Sequence, residues 1–174
     1  MKELLELMPE FNLIKNTDLK NKVLKVWEEG IKEGGWEIKE LTEMPYTLLI
    51  EDTDISFIDH NRGVVNCCIG MAKAMKNVYA DKIKIDMDIL LAGALLHDVG
   101  KMIEISKEGN KFVKSYKGKL LRHPFSGANM AYKWGLPEEV VHIIAVHSKE
   151  GDHSKRTPEA VILHHSDFTN FEAT

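Results

Sequence analysis

The segment LLAGALLHDVGK, residues 90–101, constrains the fold more than any other part of the chain. Its first seven residues are apolar apart from one glycine, and they run straight into His97 and Asp98. Residues 88–99 are apolar nearly all round. A helix with no polar side has no face to offer water, so it belongs at the centre of an assembly of other helices. The apolar run at 89–96 is also far too short to cross a bilayer, which takes about 20 residues. Burying an unpaired carboxylate beside such a segment costs on the order of several kcal/mol. Asp98 therefore needs a compensating positive charge, and the rest of the chain has to bring it.

The surrounding sequence is helical in period. Asp18 reads as the N-cap of a helix with Leu19, Val23, Val26, Trp27 and Ile31 along one stripe, closed by Gly34-Gly35. Trp27 and Trp36 read as anchors of this element on the main domain, and Trp134 as a plug at a helix end. From residue 57 the period places His60, Val64, Cys67, Met71, Met75 and Val78 on one helical face. Two short extended runs flank Gly109-Asn110, which predicts a small β-hairpin near residues 103–116. KLLRHPFSGANMAYKWG reads as one helix closed by Gly135. LPEEVVHIIAVHS opens with Pro137 at the first helical position, and TPEAVILHHSDFTNF with Thr157 as N-cap. The expected fold class is all-α: a helical bundle with one short hairpin. Residues 51–174 read as the main domain. Residues 1–50 read as a helical extension packed on it, serving as a packing, homodimerisation or lid element.

Charge and cysteine usage exclude several function classes. A formal net charge of -4 leaves no global basic field for nucleic acid, and no binding module for it is visible in the N-terminal segment. The two cysteines, Cys67 and Cys68, are neighbours and cannot readily pair with each other, so they read as small buried hydrophobes. The N-terminal stretch has acids and a proline where the apolar core of a secretion signal would sit. These features predict a cytoplasmic protein without membrane association.

All eight histidines lie at or after residue 60, so the chemistry belongs to the larger C-terminal part. His60, His97, Asp98, His123, His147 and Asp167 fall on otherwise apolar helix faces, each on a different predicted helix apart from the His97-Asp98 pair. Imidazole and carboxylate are the ligand types suited to divalent transition metals, and converging helices commonly assemble such sites. A metal would also supply the charge that Asp98 requires. Other histidines read differently. His142 lies about 140° around its helix from His147. His153 sits in a polar loop, His165 points elsewhere, and His164 shares its side of the helix with Asp167 and could orient a ligand from behind.

The order H…HD…H…H…D resembles the HD superfamily of metal-dependent phosphohydrolases, over residues 57 to about 172. ALLHDVGK looks like the HD-x-x-K variant of its signature. The segments after it are similar in layout to the HD domains of exoribonuclease-like and HDIG-type proteins. The resemblance implies that His60, His97, Asp98 and Asp167 hold one metal, and that His123 and His147 add a second, with Asp98 bridging. Some dinuclear relatives have a glutamate one turn before the first histidine, where this chain has Ser56. Others have a second histidine after the fourth, where it has Ser148. The implied cofactor is one or two divalent ions of Fe, Mn, Ni, Co or Zn, with Mg a further candidate.

The resemblance also places Lys101 near the substrate phosphate, where its charge would stabilise phosphoryl oxygens. Gly100 would end or loosen the helix before it. Arg62 is a second candidate phosphate contact, with a salt bridge on a solvated face as its alternative. Lys117, Lys119 and Arg122 form a basic turn before His123. The implied activity is hydrolysis of a phosphate ester, of a nucleotide or a small phosphomonoester, with Asp98 and Lys101 as catalytic residues. Two other readings stay open: a mixed-valence di-iron oxygenase on the same ligands, and a non-catalytic HD domain used in signalling.

Overall fold

The computed structural model describes residues 1–50 and 53–173. Among these, the chain forms α1 (Lys2–Leu7), α2 (Thr17–Gly34), α3 (Phe57–Tyr79), α4 (Met87–Leu96), α5 (Lys101–Glu104), β1 (Ile105–Glu108), β2 (Lys111–Lys114), α6 (Tyr116–Leu120), α7 (His123–Lys133), α8 (Glu138–Val146) and α9 (Pro158–Glu172). Short 3-10 turns link several of them. The strands form one antiparallel hairpin, with Ile105 opposite Lys114 and Glu108 opposite Lys111. Gly109 supplies the left-handed turn residue between them, at φ 61°. The architecture is all-α with this hairpin as its only sheet among the described residues.

Helix α4 is the hub. Asp86 caps it by accepting from the backbone N–H groups of Asp88 and Ile89. Every residue from Leu90 to Leu96 is buried, as an all-round apolar helix requires. Helices α2, α3, α8 and α9 pack around it. Gly93 is what lets α8 come close, because a Cβ there would stand 2.6 Å from the Ile143 side chain. That approach brings the C-terminal ends of α4 and α8 together.

Residues of the N-terminal segment share the same core. Leu4, Met8, Phe11, Val23, Val26 and Trp27 are fully buried in it. The indole of Trp27 donates to Leu95 O over 2.8 Å, and that of Trp36 to Met102 O over 2.7 Å. Both carbonyls flank the His97-Asp98 turn in sequence, so the extension grips the segment that carries the signature pair.

Several local expectations need correction. Asn16, not Asp18, caps α2: its side chain accepts from Leu19 N–H, and Asp18 instead lies in the first turn and pairs with Lys22. Along α3 the buried thiol is that of Cys68, whereas Cys67 is half-buried and Val78 is exposed. The face turned inward runs through His60, Asn61, Val64, Val65, Cys68 and Ala72, rotated toward Asn61 and Val65 from the expected stripe, and no residue of α3 beyond Ala72 is buried, so its last turns reach past the core. Pro137 caps α8 from outside rather than occupying its first turn. The segment read as one helix before Gly135 is two, α6 and α7, broken at Leu121 and an extended Arg122. Pro124 is the reason: it has no N–H to give, which a helix tolerates only in its first turn, so a new helix starts at His123.

Candidate metal centre

His97 and His147 reach their positions by the same local device. His97 follows the last residue of α4, and His147 the last residue of α8. The end of a helix leaves carbonyls without partners. His97 Nδ1 lies 2.7 Å from Ala94 O, and His147 Nδ1 lies 2.7 Å from Ile144 O. A carbonyl can only accept, so each Nδ1 carries the proton and each Nε2 presents a lone pair. His60 and His123 come instead from helix beginnings. His60 lies in the first turn of α3, which Ser56 and Asp59 close with a reciprocal capping box. Ser56, at the position where some relatives carry a ligand, thus serves as a cap. His123 opens α7. Asp167 projects from α9.

Gly100 allows the last approach. A Cβ at this position would stand 2.2 Å from His123 O, so no larger residue lets the start of α7 reach the His97-Asp98 turn. Helix α4 stops at Leu96, and after a turn α5 begins at Lys101. The turn stays helical, so Lys101, three residues after Asp98, lies on the same side as that carboxylate.

Asp98 is buried at the middle of the cluster, and its two oxygens face different neighbours. Oδ2 lies 3.4 Å from His60 Nε2, 3.4 Å from His97 Nε2 and 2.6 Å from Lys101 Nζ. Oδ1 lies 3.2 Å from His123 Nε2 and 3.7 Å from His147 Nε2. Asp167 Oδ1 adds contacts to His60 Nε2 at 3.1 Å and to His97 Nε2 at 3.8 Å. Two groups of side chains could each hold a metal ion: His60, His97 and Asp167, and Asp98, His123 and His147.

The donor chemistry fits a cation in both groups. The Nε2 atoms of His60 and His97 are buried without any aligned hydrogen-bond partner, although carboxylate oxygens stand within 3.4 Å. Leaving such nitrogens unpaired is costly unless another group engages them. On the other side, His123 Nε2 and His147 Nε2 face each other at 3.2 Å. His123 Nδ1 lies 2.9 Å from Glu104 Oε2, and a carboxylate accepts that proton. Both Nε2 atoms then present lone pairs to one another, an arrangement that requires a positive charge nearby.

Burial and neighbouring charge act together on Asp98, Asp167, His60 and His123. Burial works against ionisation of Asp98, but Lys101 and the surrounding imidazoles hold its carboxyl well below the usual range. Burial likewise opposes ionisation of Asp167, yet the His60 contact and neighbouring charge bring it to about 2. Burial disfavours a charged His60, while Asp167 and Asp98 more than reverse this and raise its pKa. His123 is pushed down to about 4 by burial, against the pull of Glu104, so its ring is neutral at ordinary pH.

The structure brings His60, His97, Asp98, His123, His147 and Asp167 together and sets Lys101 against them. Lys101 Nζ also donates to Tyr46 O over 2.7 Å, and the Tyr46 ring stacks on His60 at 4.7 Å between centroids. Arg62 goes elsewhere: its Nε donates to the buried Glu10 carboxylate over 3.0 Å, tying the N-terminal segment to α3. Within the basic turn, Lys117 pairs with Glu33 and Arg122 with Glu104 and Glu150. His164 Nδ1 lies 2.6 Å from His147 O, behind that candidate ligand. His142 is on α8 outside the cluster, and His153 and His165 are exposed. Two residues at the centre escaped sequence reasoning. Tyr46 gave no signal. Glu104 gave a weak one, as a lone acid between isoleucines in the apolar stretch after the signature.

Comparison with known proteins points the same way. The model of the family described as HD domain matches residues 57–169. A dihydroneopterin 2',3'-cyclic phosphate phosphodiesterase of Methanocaldococcus jannaschii is 29% identical over 164 residues, covering 88% of this chain and 63% of that protein. Ribonuclease Y of Acidothermus cellulolyticus is 34% identical over 93 residues, 53% of this chain and 16% of the enzyme. Ribonuclease Y of Thermotoga maritima is 28% identical over 104 residues, 60% of this chain and 18% of the enzyme. The chain thus spans less than two thirds of the length of each of these relatives. No solved structure matches it. No helix among the described residues is long and apolar enough to cross a membrane.

Proposed function

The chain belongs to the HD domain family, and from that premise we propose that it hydrolyses a small phosphate ester at a centre of two divalent transition-metal ions. His60, His97 and Asp167 would hold one ion and His123 and His147 the other, with Asp98 contributing to both groups. The observation that carries this reading is the division of Asp98: each of its oxygens faces a separate pair of imidazole Nε2 atoms, and those of His60 and His97 have no aligned partner. Metal ions in such a site act as Lewis acids on a phosphoryl oxygen and make water a stronger acid.

The protein's own groups supply the rest. Lys101 gives two of its three ammonium protons to Asp98 Oδ2 and Tyr46 O, which leaves one for a phosphoryl oxygen. Fixed in that position, its charge offsets the charge that builds on phosphorus-bound oxygens in the transition state. Burial keeps bulk water from screening it. Lys101 and Asp167, with side chains 13% and 14% exposed, are the least buried of these groups, and the substrate is assigned to their side of the centre. Arg62, engaged with Glu10, is not assigned a substrate role in this reading.

The M. jannaschii relative is named for a cyclic phosphodiester, so small 2',3'-cyclic phosphates join nucleotides and phosphomonoesters as candidate substrates. The test is to purify the protein with its native metal, count the ions, and screen these three classes with each divalent cation. Release of phosphate or opening of a cyclic phosphate that stops on chelation and returns with metal is expected. Oxygen-dependent turnover with two irons would assign the oxygenase chemistry instead, and failure to take up any ion would leave a non-catalytic domain.

A further inference from the structure

We infer that Glu104 is a positioning residue for the His123 half of the centre, fixing that imidazole from behind so that its Nε2 lone pair faces Asp98. The inference rests on the two-ion reading above.

Glu104 ends α5, six residues after Asp98. It is buried, and its two oxygens have separate partners. Oε2 accepts from His123 N–H over 2.7 Å and from His123 Nδ1 over 2.9 Å. Oε1 accepts from Arg122 Nη1 over 2.8 Å, with Lys114 Nζ at 3.5 Å. Arg122 is itself held by Glu150, its Nε donating over 3.0 Å. The backbone is pinned as firmly. Ser115 N–H donates to Glu104 O over 2.9 Å, and a Cβ on Gly118 would stand 2.3 Å from that same oxygen. The hairpin and α6 thus hold Glu104 in place.

A carboxylate behind an imidazole selects the tautomer with the proton on Nδ1 and raises the basicity of Nε2. The other ligand histidines with assigned ring contacts, His97 and His147, use neutral backbone carbonyls for this. His123 sits at a helix start, where no free carbonyl points back at it, so a side chain from another element must do the work. A bare capping role for Glu104 would need only an acceptor for the His123 N–H.

The variant Glu104→Gln separates the two roles. Its single oxygen cannot serve Arg122 and His123 together, and its amide can donate to Nδ1 and force the wrong tautomer. Ion binding is followed by calorimetry with Mn²⁺ or Co²⁺, and the His123 ring by ¹⁵N NMR in metal-free protein. In the unaltered protein two ions bind and His123 is protonated on Nδ1. In Glu104→Gln one ion weakens roughly 10–100-fold, the other is unchanged, and the His123 tautomers mix. Adding Asp167→Asn, which strips the other half, removes the remaining tight binding and so identifies the affected site. Arg122→Met removes the brace on Oε1, and with it the bond to Glu150, while leaving the Glu104 carboxylate in place; it gives a smaller loss at the same site and serves as the test if Glu104→Gln does not fold. Both variants folded, with two ions bound as tightly as before and His123 still protonated on Nδ1, would overturn the inference. If the unaltered protein takes up no divalent ion, the two-ion reading falls, and the tautomer of His123 alone then decides whether Glu104 positions it.

Discussion

One half of the centre consists of His60, His97 and Asp167 facing Asp98 Oδ2; the other consists of His123 and His147 facing Oδ1. Each has two imidazoles and one carboxylate besides the shared Asp98. In the first half the extra carboxylate, Asp167, stands in front of the imidazoles, where it can bind a cation itself. In the second it is Glu104, which stands behind His123 and can act on a cation only through the ring. A carboxylate in front adds a full charge to the coordination, whereas one behind only sharpens a neutral ligand. The first half should therefore bind its ion more tightly, and the second should depend more on the surrounding framework.

The largest expected effect comes from Asp98→Ala, since this residue belongs to both halves. Both ions should be lost and turnover should fall to background, as read by metal analysis and a phosphate-release assay. Retention of either ion would break the picture of a shared carboxylate. Next, Asp167→Asn should cost more ion affinity than Glu104→Gln, and calorimetry on the two variants ranks the halves directly. The reverse order would show that the brace behind His123 matters more than the charge in front of His60. Lys101→Met touches neither half as a ligand. It should keep both ions while lowering kcat by roughly 100- to 1,000-fold, the cost of losing one group that stabilises transition-state charge.

Two smaller effects test the framework. Trp27→Phe removes the bond to Leu95 O and leaves a buried carbonyl unpaired, which should cost about 1–3 kcal/mol in a denaturant titration. Both ions should still bind. The pH dependence of metal-free stability should expose Glu104. Burial would raise its pKa, but the His123 and Arg122 contacts hold it at about 2, below its ordinary 4.5. A lowered folded-state pKa means that the unfolded chain binds the proton first. The stabilisation is therefore full above about pH 4.5 and fades as pH falls toward about 2. Glu104→Gln should be less stable than the unaltered protein at neutral pH, and the gap should close in acid. An unchanging gap would place the carboxylate outside the folded-state network.

The helical character was legible because burial leaves a period. Helix α4 had to be central because it has no polar face, and the hairpin followed from its turn residues. The six candidate ligands could be picked out for a related reason: a polar side chain on an apolar helix face is an exception that local propensity does not explain. Arg62 illustrates the limit. Its place beside His60 in sequence suggested the phosphate, but the partner that holds it, Glu10, comes from a distant segment. The break at Arg122 could have been read from Pro124.

By itself, then, the sequence determined which side chains must leave water and which of them cannot do so alone, because hydrophobic period and the cost of buried charge are local properties of the chain. It did not determine how those side chains divide among themselves. That His60 and His97 share one oxygen of Asp98 while His123 and His147 share the other, that Tyr46 covers one side and that Glu104 braces the other, was decided by the packing of helices against one another. Side-chain partnerships across tens of residues depend on distances of a few ångströms, and only the tertiary structure sets those distances.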